Sequence, residues 1–379
     1  MSNPLRDRAV FVGVGHTPSS RNMGKSPMRF TLDACTQAIE DAGIERSEID
    51  GIVTVGTLNE LEVMQYLGLD GVTYNAGPLG GAVGGGVAAN AALAVASGLC
   101  EVALAFVTME APKPGVTYNY MGGNDARGDD AFTLPYGDGV FMQHFAPWYQ
   151  RRRLLDGVTD EQMGAYVVAM RDNATRNPNA VWQDAITIDD YRASRYVAEP
   201  LRLLDCDMPV DVCGAVIVTT PERAKDLKQK PVFVSAMTTG QGPRPPDSIY
   251  WHDYDEMAYK WAAKRLWSNA GVGPQDMDFA MLYDGFSPMV LYCLQDFGFV
   301  PKGAAGEFLE AGEHLSTGSL PLNPHGGNNS EGRSWGFGHV CEAILQLQGR
   351  SGARQLQDVH TTMIGGGGVS LASALVLHN

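Results

Sequence analysis

The two halves of this chain repeat one another, and that repetition limits its fold more than any other feature. "AVFVGVGHT" at 9–17 returns as "PVFVSAMTT" at 231–239, and "SEIDGIVTVGT" at 47–57 returns as "PQDMDFAMLYDG" at 274–285. A glycine-led helical stretch followed by "EVALAFVTM" (101–109) has its partner in a second glycine-led helix followed by "DVHTTMIGG" (358–366). "GAVIVTT" (214–220) corresponds to "ASALVLH" (372–378). Between these β-branched runs lie patterns of helical period, such as "FTLDACTQAIEDAG" (30–43) and "VAANAALAVASG" (87–98). Strand and helix in alternation, repeated once, predict a duplicated α/β architecture. The expected halves are 1–245 and 246–379.

A segment of about 110–212 has no counterpart in the second half. It holds its own helix, "TDEQMGAYVVAMRDNATRN" (159–177), which Thr159 and Gln162 open as a capping box. This stretch is an excursion placed before the last strand of the first half. Excursions of that length commonly cover a functional site.

Composition narrows the function. The chain has 379 residues, is 44% hydrophobic and 19% charged, and carries a net charge of −15. A protein so acidic lacks the basic face that nucleic acid requires. The one basic run, 151–153, reads as a solvated helix face. Six cysteines are scattered with neither CxxC nor Cys/His spacing, so neither disulfides nor a structural metal is expected. The N-terminus runs into a strand without the long apolar region of a signal peptide, and no apolar run reaches membrane-spanning length. The expectation is a cytoplasmic protein.

Three stretches resemble the thiolase superfamily: "VFVGVGHTPSSR" with "ACTQAIEDAGIERSEIDGIV", then "ASRYVAEPLRLLDCDMPVDVCGAVIVTTPERAKDL", then "NPHGGNNSEG…GHVCEAILQLQGRSGARQ". "LYDGF" and "NPHGG…SEG…H" are most similar to the lipid-transfer-protein and sterol-carrier-protein branch, which includes cysteine-less, CoA-dependent aldolases of steroid side chains. The resemblance implies a thiolase fold: duplicated βαβαβαββ halves making a five-layered αβαβα core, with an inserted loop domain. It also implies a homodimer built through the core strand "EVALAFVTM". A small zinc-ribbon/OB-fold partner, giving a heterotetramer, is implied by the same analogy.

The resemblance makes the departures informative. Thiolases carry a nucleophilic cysteine at the start of the buried helix of the first half, where the helix end lowers the thiol pKa. Here "LGGAVGGGVAANAALAVASG" places Ala82 at that position. The second cysteine, near the C-terminus, is replaced by the glycines of "TTMIGGGGVSLASALVL", and the histidine after "S-x-G" by Arg333. Glycines 80, 81, 84, 85 and 86 suit either close packing or close approach of a substrate to bare backbone.

The remaining candidates are Tyr283 and Asp284 at a strand end, His325 in "NPHGG", and His339 at the start of a helix. These are the catalytic candidates. Arg333, Ala82, Gly327, Gly365, Gly366 and Gly367 are the substrate-binding candidates, with bare N–H groups in 365–368 as oxyanion donors. A pocket of this type without a nucleophile suits retro-aldol cleavage of a β-hydroxyacyl-CoA, in which the thioester is the electron sink. No covalently bound cofactor or metal is called for, and coenzyme A enters as part of the substrate. The resemblance implies tyrosines as proton carriers. Tyr283 matches one, and Arg333 stands where another tyrosine or a histidine is expected. Two rival readings remain open: a thiolase-like acyltransferase subunit with a different nucleophile, and a non-catalytic scaffold for the zinc/OB-fold partner.

Overall fold

The computed structural model describes residues 3–56, 58–81, 83–113, 127, 131–137, 139–242 and 254–379. The strands are β1 (Val10–His16), β2 (Gly51–Gly56), β3 (Tyr74–Ala76), β4 (Val102–Met109), β5 (Tyr196–Ala198), β6 (Leu201–Arg202), β7 (Val212–Thr219), β8 (Val232–Gln241), β9 (Phe279–Leu282), β10 (Thr361–Gly367) and β11 (Leu371–His378). The helices are α1 (Pro27–Ala42), α2 (Glu60–Leu67), α3 (Val83–Ala96), α4 (Phe141–Asp156), α5 (Asp160–Thr175), α6 (Ile188–Ala193), α7 (Pro221–Ala224), α8 (Tyr259–Ala270), α9 (Met289–Asp296), α10 (Ala305–Glu310), α11 (Gly327–Ser330) and α12 (Phe337–Leu347).

The sheet order is β3-β2-β4-β7-β1-β8-β11-β10-β9. Read outward from the β1–β8 junction, the two sides match pair for pair. β1 with β7 and β8 with β11 are antiparallel. β7 with β4 and β11 with β10 are antiparallel. β4 with β2 and β10 with β9 are parallel. The strands that repeat in sequence are therefore the strands that repeat in space. The half-sheets join where Val10 faces Phe233 and Phe11 faces Val232.

Both faces of these strands are buried, so they read as unbroken apolar runs rather than alternating ones. Side chains still alternate between two cores. Val102, Leu104 and Phe106 of β4 pack with α1 and α2, whereas Ala103, Ala105 and Val107 face α3 and α12. In β11, Leu375 and Leu377 face that same central core, while Ala372, Ala374 and Val376 face α8, α9 and the excursion. The layers thus run helix, sheet, helix, sheet, helix. α3 fits the middle because small residues let it pass between both half-sheets. A Cβ on Gly84 would lie 2.4 Å from the Trp335 carbonyl oxygen, and one on Gly85 would lie 2.7 Å from Ser373 Oγ. Close packing accounts for these two glycines. Gly86 is pressed against the Leu79 carbonyl, and Gly80, at φ +65°, against Thr239.

Two expectations need correcting. β4 is hydrogen-bonded on both sides, by β2 and β7, so a second copy has no free edge of β4 to pair with. The edge on that side is β3. The run 151–153 is not a solvated face. Arg152 is fully buried; it pairs with Asp156 of its own helix (2.9 Å) and joins α4 to the second half through Gln295 (3.3 Å) and Asp255, with its guanidinium 5.0 Å from the Tyr292 ring centre. Burying the helix is possible because carboxylates meet the charge from both sides. Arg153 pairs with Asp160 at 2.7 Å.

Candidate active site

A cavity of about 640 Å³ opens between the excursion and the second half. Volumes of this size are typical of small-molecule sites. The excursion supplies Phe141, Met142, Val197 and residues 206–209; the second half supplies Tyr283, Phe286, Met289, Arg333 and residues 367–371. The two walls are fastened by stacked rings, with Phe286 lying 5.7 Å from Phe141 and 4.9 Å from Phe145. Arg21 and Arg195 also line the cavity, so a strongly acidic chain turns three arginines, with Arg333, toward one space.

Tyr283 reaches the cavity because its neighbours lack side chains. A Cβ at Gly285 would sit 2.9 Å from the phenol oxygen, and one at Gly336 (φ +80°) would sit 3.0 Å from Cδ2. The ring slots between them. β9 ends here with Tyr283 N donating to Gly365 O at 2.9 Å. Arg333 is held by an ion pair of its Nε with Asp207 Oδ2 at 3.0 Å, and its own N–H donates to Met208 O at 2.7 Å. Asp207 was not singled out from the sequence. It lines the cavity beside Arg333, and burial and the nearby Asp284 charge raise its carboxyl to about 6, against the lowering effect of Arg333.

Asp284, His325 and His339 do not line the cavity; they form the layer behind Tyr283. Asp284 is completely buried. It accepts hydrogen bonds from Asn328 N (2.8 Å), Asn328 Nδ2 (3.1 Å) and Tyr166 Oη (3.0 Å). His339 Nε2 lies 3.2 Å from Leu282 O and 3.4 Å from Asp284 Oδ1, which fixes the ring proton on that nitrogen. Its ring centre is 6.4 Å from that of Tyr283. His325 lies edge-on to His339 at 4.6 Å, with Nε2 3.6 Å from Glu331. Burial, with the neighbouring charges of His339, Arg354 and His16, drives the His325 pKa well below the ordinary value. His325 is therefore neutral. Glu331 is pushed up to about 7, chiefly by burial.

The glycines divide in the same way. Gly367 lines the cavity. Gly327 is pressed on Asp284, where a Cβ would fall 1.9 Å from Oδ2. Gly365 packs on Phe297, and Gly366 lies against Gly85. Of the run 365–368, Gly365, Gly366 and Gly367 lie opposite Ala374, Ser373 and Ala372 of β11, and Gly368 N donates to Leu371 O at 2.8 Å. Ala82 lies outside the described residues.

One thiol does reach the cavity, which the sequence did not reveal. Cys206 is part of the lining, and its pKa is raised far above the ordinary thiol value by burial and by the carboxylates Asp205 and Asp207. Its sulfur donates weakly to Arg202 O at 3.5 Å. Burial outweighs the nearby Arg333 and Arg195, whereas an activated nucleophilic cysteine has a lowered pKa.

With this geometry in view, the relatives are informative. Residues 246–378 match the thiolase C-terminal domain-like family. The chain is 34% identical to a 17-hydroxy-3-oxo-4-pregnene-20-carboxyl-CoA lyase of Mycobacterium tuberculosis, over 98% of this chain and 100% of that one. It is 33% identical to a steroid side-chain-cleaving aldolase of Thermomonospora curvata, over 98% of both. A solved Ltp2-ChsH2(DUF35) aldolase superposes with a TM-score of 0.91 at 32% identity, covering 99% of this chain and 98% of that one. The fold and these relatives define a thiolase-fold carbon–carbon lyase. This chain belongs to the family of steroid side-chain-cleaving aldolases in the thiolase superfamily.

Proposed function

We propose that the protein cleaves a β-hydroxyacyl-CoA by a retro-aldol reaction, giving a ketone or aldehyde and a shorter acyl-CoA, and that the acyl chain is a steroid side chain. The observation that carries this reading is Tyr283, slotted between two glycines at a cavity whose one lining thiol, among the described residues, is held protonated. Without a thiolate the acyl group stays on coenzyme A. The thioester then accepts the electron pair of the broken Cα–Cβ bond as an enolate, and the Cα takes a proton. In this reading Arg333, which lines the cavity, holds the negative oxygen. Tyr283 carries a proton. The apolar wall of Phe141, Met142, Val197, Phe286 and Met289 suits a hydrocarbon skeleton, and the arginines at 21 and 195 suit the phosphates of coenzyme A.

His339, Asp284 and His325 act in this reading as positioning groups behind the tyrosine. A small zinc-ribbon/OB-fold partner belongs to the proposal, since the structural relative is an Ltp2-ChsH2(DUF35) aldolase. A homodimer would use the β3 edge. Among the described residues no helix is long and apolar enough to cross a membrane.

The direct test is incubation with 17-hydroxy-3-oxo-4-pregnene-20-carboxyl-CoA and a panel of other β-hydroxyacyl-CoAs, with and without a verified partner, followed by mass spectrometry. The expected products are a carbonyl compound and a shortened acyl-CoA. Substrate left intact across the panel contradicts the proposal.

A further inference from the structure

Retro-aldol cleavage needs two proton movements, and Tyr283 supplies one carrier. The position where a second tyrosine or histidine is expected holds Arg333, a group too basic to act as the base. Arg333 does not stand alone, however. Its Nε is 3.0 Å from Asp207 Oδ2, and both residues line the cavity, with side chains 10% and 12% exposed. We propose that Asp207 takes the β-hydroxyl proton and that Arg333 keeps it ionised for that task, the pair together replacing a single proton-carrying side chain.

Position supports this. Asp207 N donates to Gly285 O at 3.1 Å, and Gly285 is the residue on which the Tyr283 ring rests. Cys206 bridges to Phe286, Met208 N donates to Asn328 O, and Arg333 N donates to Met208 O. The segment 205–208 is thus stitched to both loops that hold Tyr283 and Arg333. The carboxylate is part of the same rigid frame as the phenol, although it comes from the other half of the sequence. The step balances without any added reagent. The hydroxyl proton moves to the Asp207 carboxylate, the O–C bond becomes C=O, and the Cα–Cβ pair flows into the thioester enolate. The Tyr283 phenol gives its proton to Cα, and the Asp207 proton restores the phenol through the cavity. The assignment rests on the retro-aldol reading above.

Several charges act on Asp207. Arg333 favours its ionised form, and Asp284 opposes it from behind. Asp205 and Cys206 precede it in the chain, while Arg21, Arg195 and Tyr283 share the cavity. A base in this setting must be ionised to work, so kcat/KM rises with pH through an inflection near 6. Loss of the Arg333 cation raises the carboxyl pKa, because the charged form loses its partner.

The experiment is a kcat/KM–pH profile of the full-length protein with its partner, on the β-hydroxyacyl-CoA that the wild type cleaves. Asp207→Asn is expected to lower kcat about 10²- to 10⁴-fold and abolish the acid limb. Asp207→Glu is expected to restore part of the turnover with the limb present. Arg333→Gln is expected to move the limb to higher pH. Turnover in Asp207→Asn within about threefold of wild type, with the acid limb intact, overturns the assignment, since loss of a general base costs at least about a hundredfold. If Asp207→Asn melts below the assay temperature, Arg333→Gln decides: an unmoved limb overturns the assignment. A wild type that cleaves nothing refutes the retro-aldol reading itself, whereas an active wild type with an indifferent Asp207 refutes only this inference.

Discussion

Tyr283 owes its place to Gly285 and Gly336, and the chemistry follows from that slot. Tyr283→Phe removes one oxygen that faces the cavity and leaves the packing of the ring intact. Turnover is expected to fall about 10²- to 10⁴-fold in a protein that remains folded, read by steady-state kinetics and calorimetry. Cys206→Ser tests the opposite role. Burial holds its thiol protonated, so the variant should keep wild-type turnover within about threefold, far from the loss that removal of a nucleophile causes. An inactive, folded Cys206→Ser protein would revive the acyltransferase reading. At Gly327, φ is +65° and a Cβ would collide with Asp284. Gly327→Ala should cost on the order of 2–4 kcal/mol in denaturant unfolding. The sequence marked Tyr283 and Arg333 because each sits in a motif. It could not mark Asp207 or Cys206, which lie about eighty residues upstream of Tyr283 and meet it only through tertiary hydrogen bonds.

At the scale of elements, α4 controls the cavity. It carries Phe141 and Phe145 onto Phe286 and is anchored by Arg152 to Asp255 and Gln295. Arg152→Ala empties a fully buried site that ties α4 to Asp255 and Gln295, and should destabilise the fold by about 2–3 kcal/mol. Because the loosened helix forms a wall rather than a reacting group, KM should rise more than kcat falls. The capping box of α5 was readable because it is local: Thr159 Oγ1 accepts from Gln162 N at 3.2 Å, and Gln162 Oε1 accepts from Thr159 N at 3.2 Å. The burial of Arg152 was not readable, since three adjacent arginines suggest solvent unless the carboxylates from other elements are known.

Over the whole molecule, the duplication was legible because each half repeats the same strand spacing, and the sheet pairs those strands in the same pattern. Titration behaviour is not written in any motif, because it depends on burial. Asp205, Asp296 and Glu331 are each raised to about 7, and burial is the main cause in all three. A raised carboxyl stabilises the fold fully below its unfolded value and loses that contribution as pH climbs through about 7. His16 and His314, lowered to about 4 by burial, act in the opposite sense and cost stability as pH falls below 6.5. The cleanest comparison is therefore wild type against Glu331→Gln. The variant should gain relative stability between pH 5 and 8 by on the order of 3 kcal/mol, measured by urea unfolding at each pH. The central claim is that carbon–carbon cleavage proceeds with the acyl group never leaving coenzyme A. It is tested most directly by mass spectrometry of the protein and the released acyl-CoA during turnover in D₂O. The prediction is a shortened acyl-CoA carrying a single solvent deuteron at Cα and a protein mass that never changes; an acylated protein during turnover would contradict it.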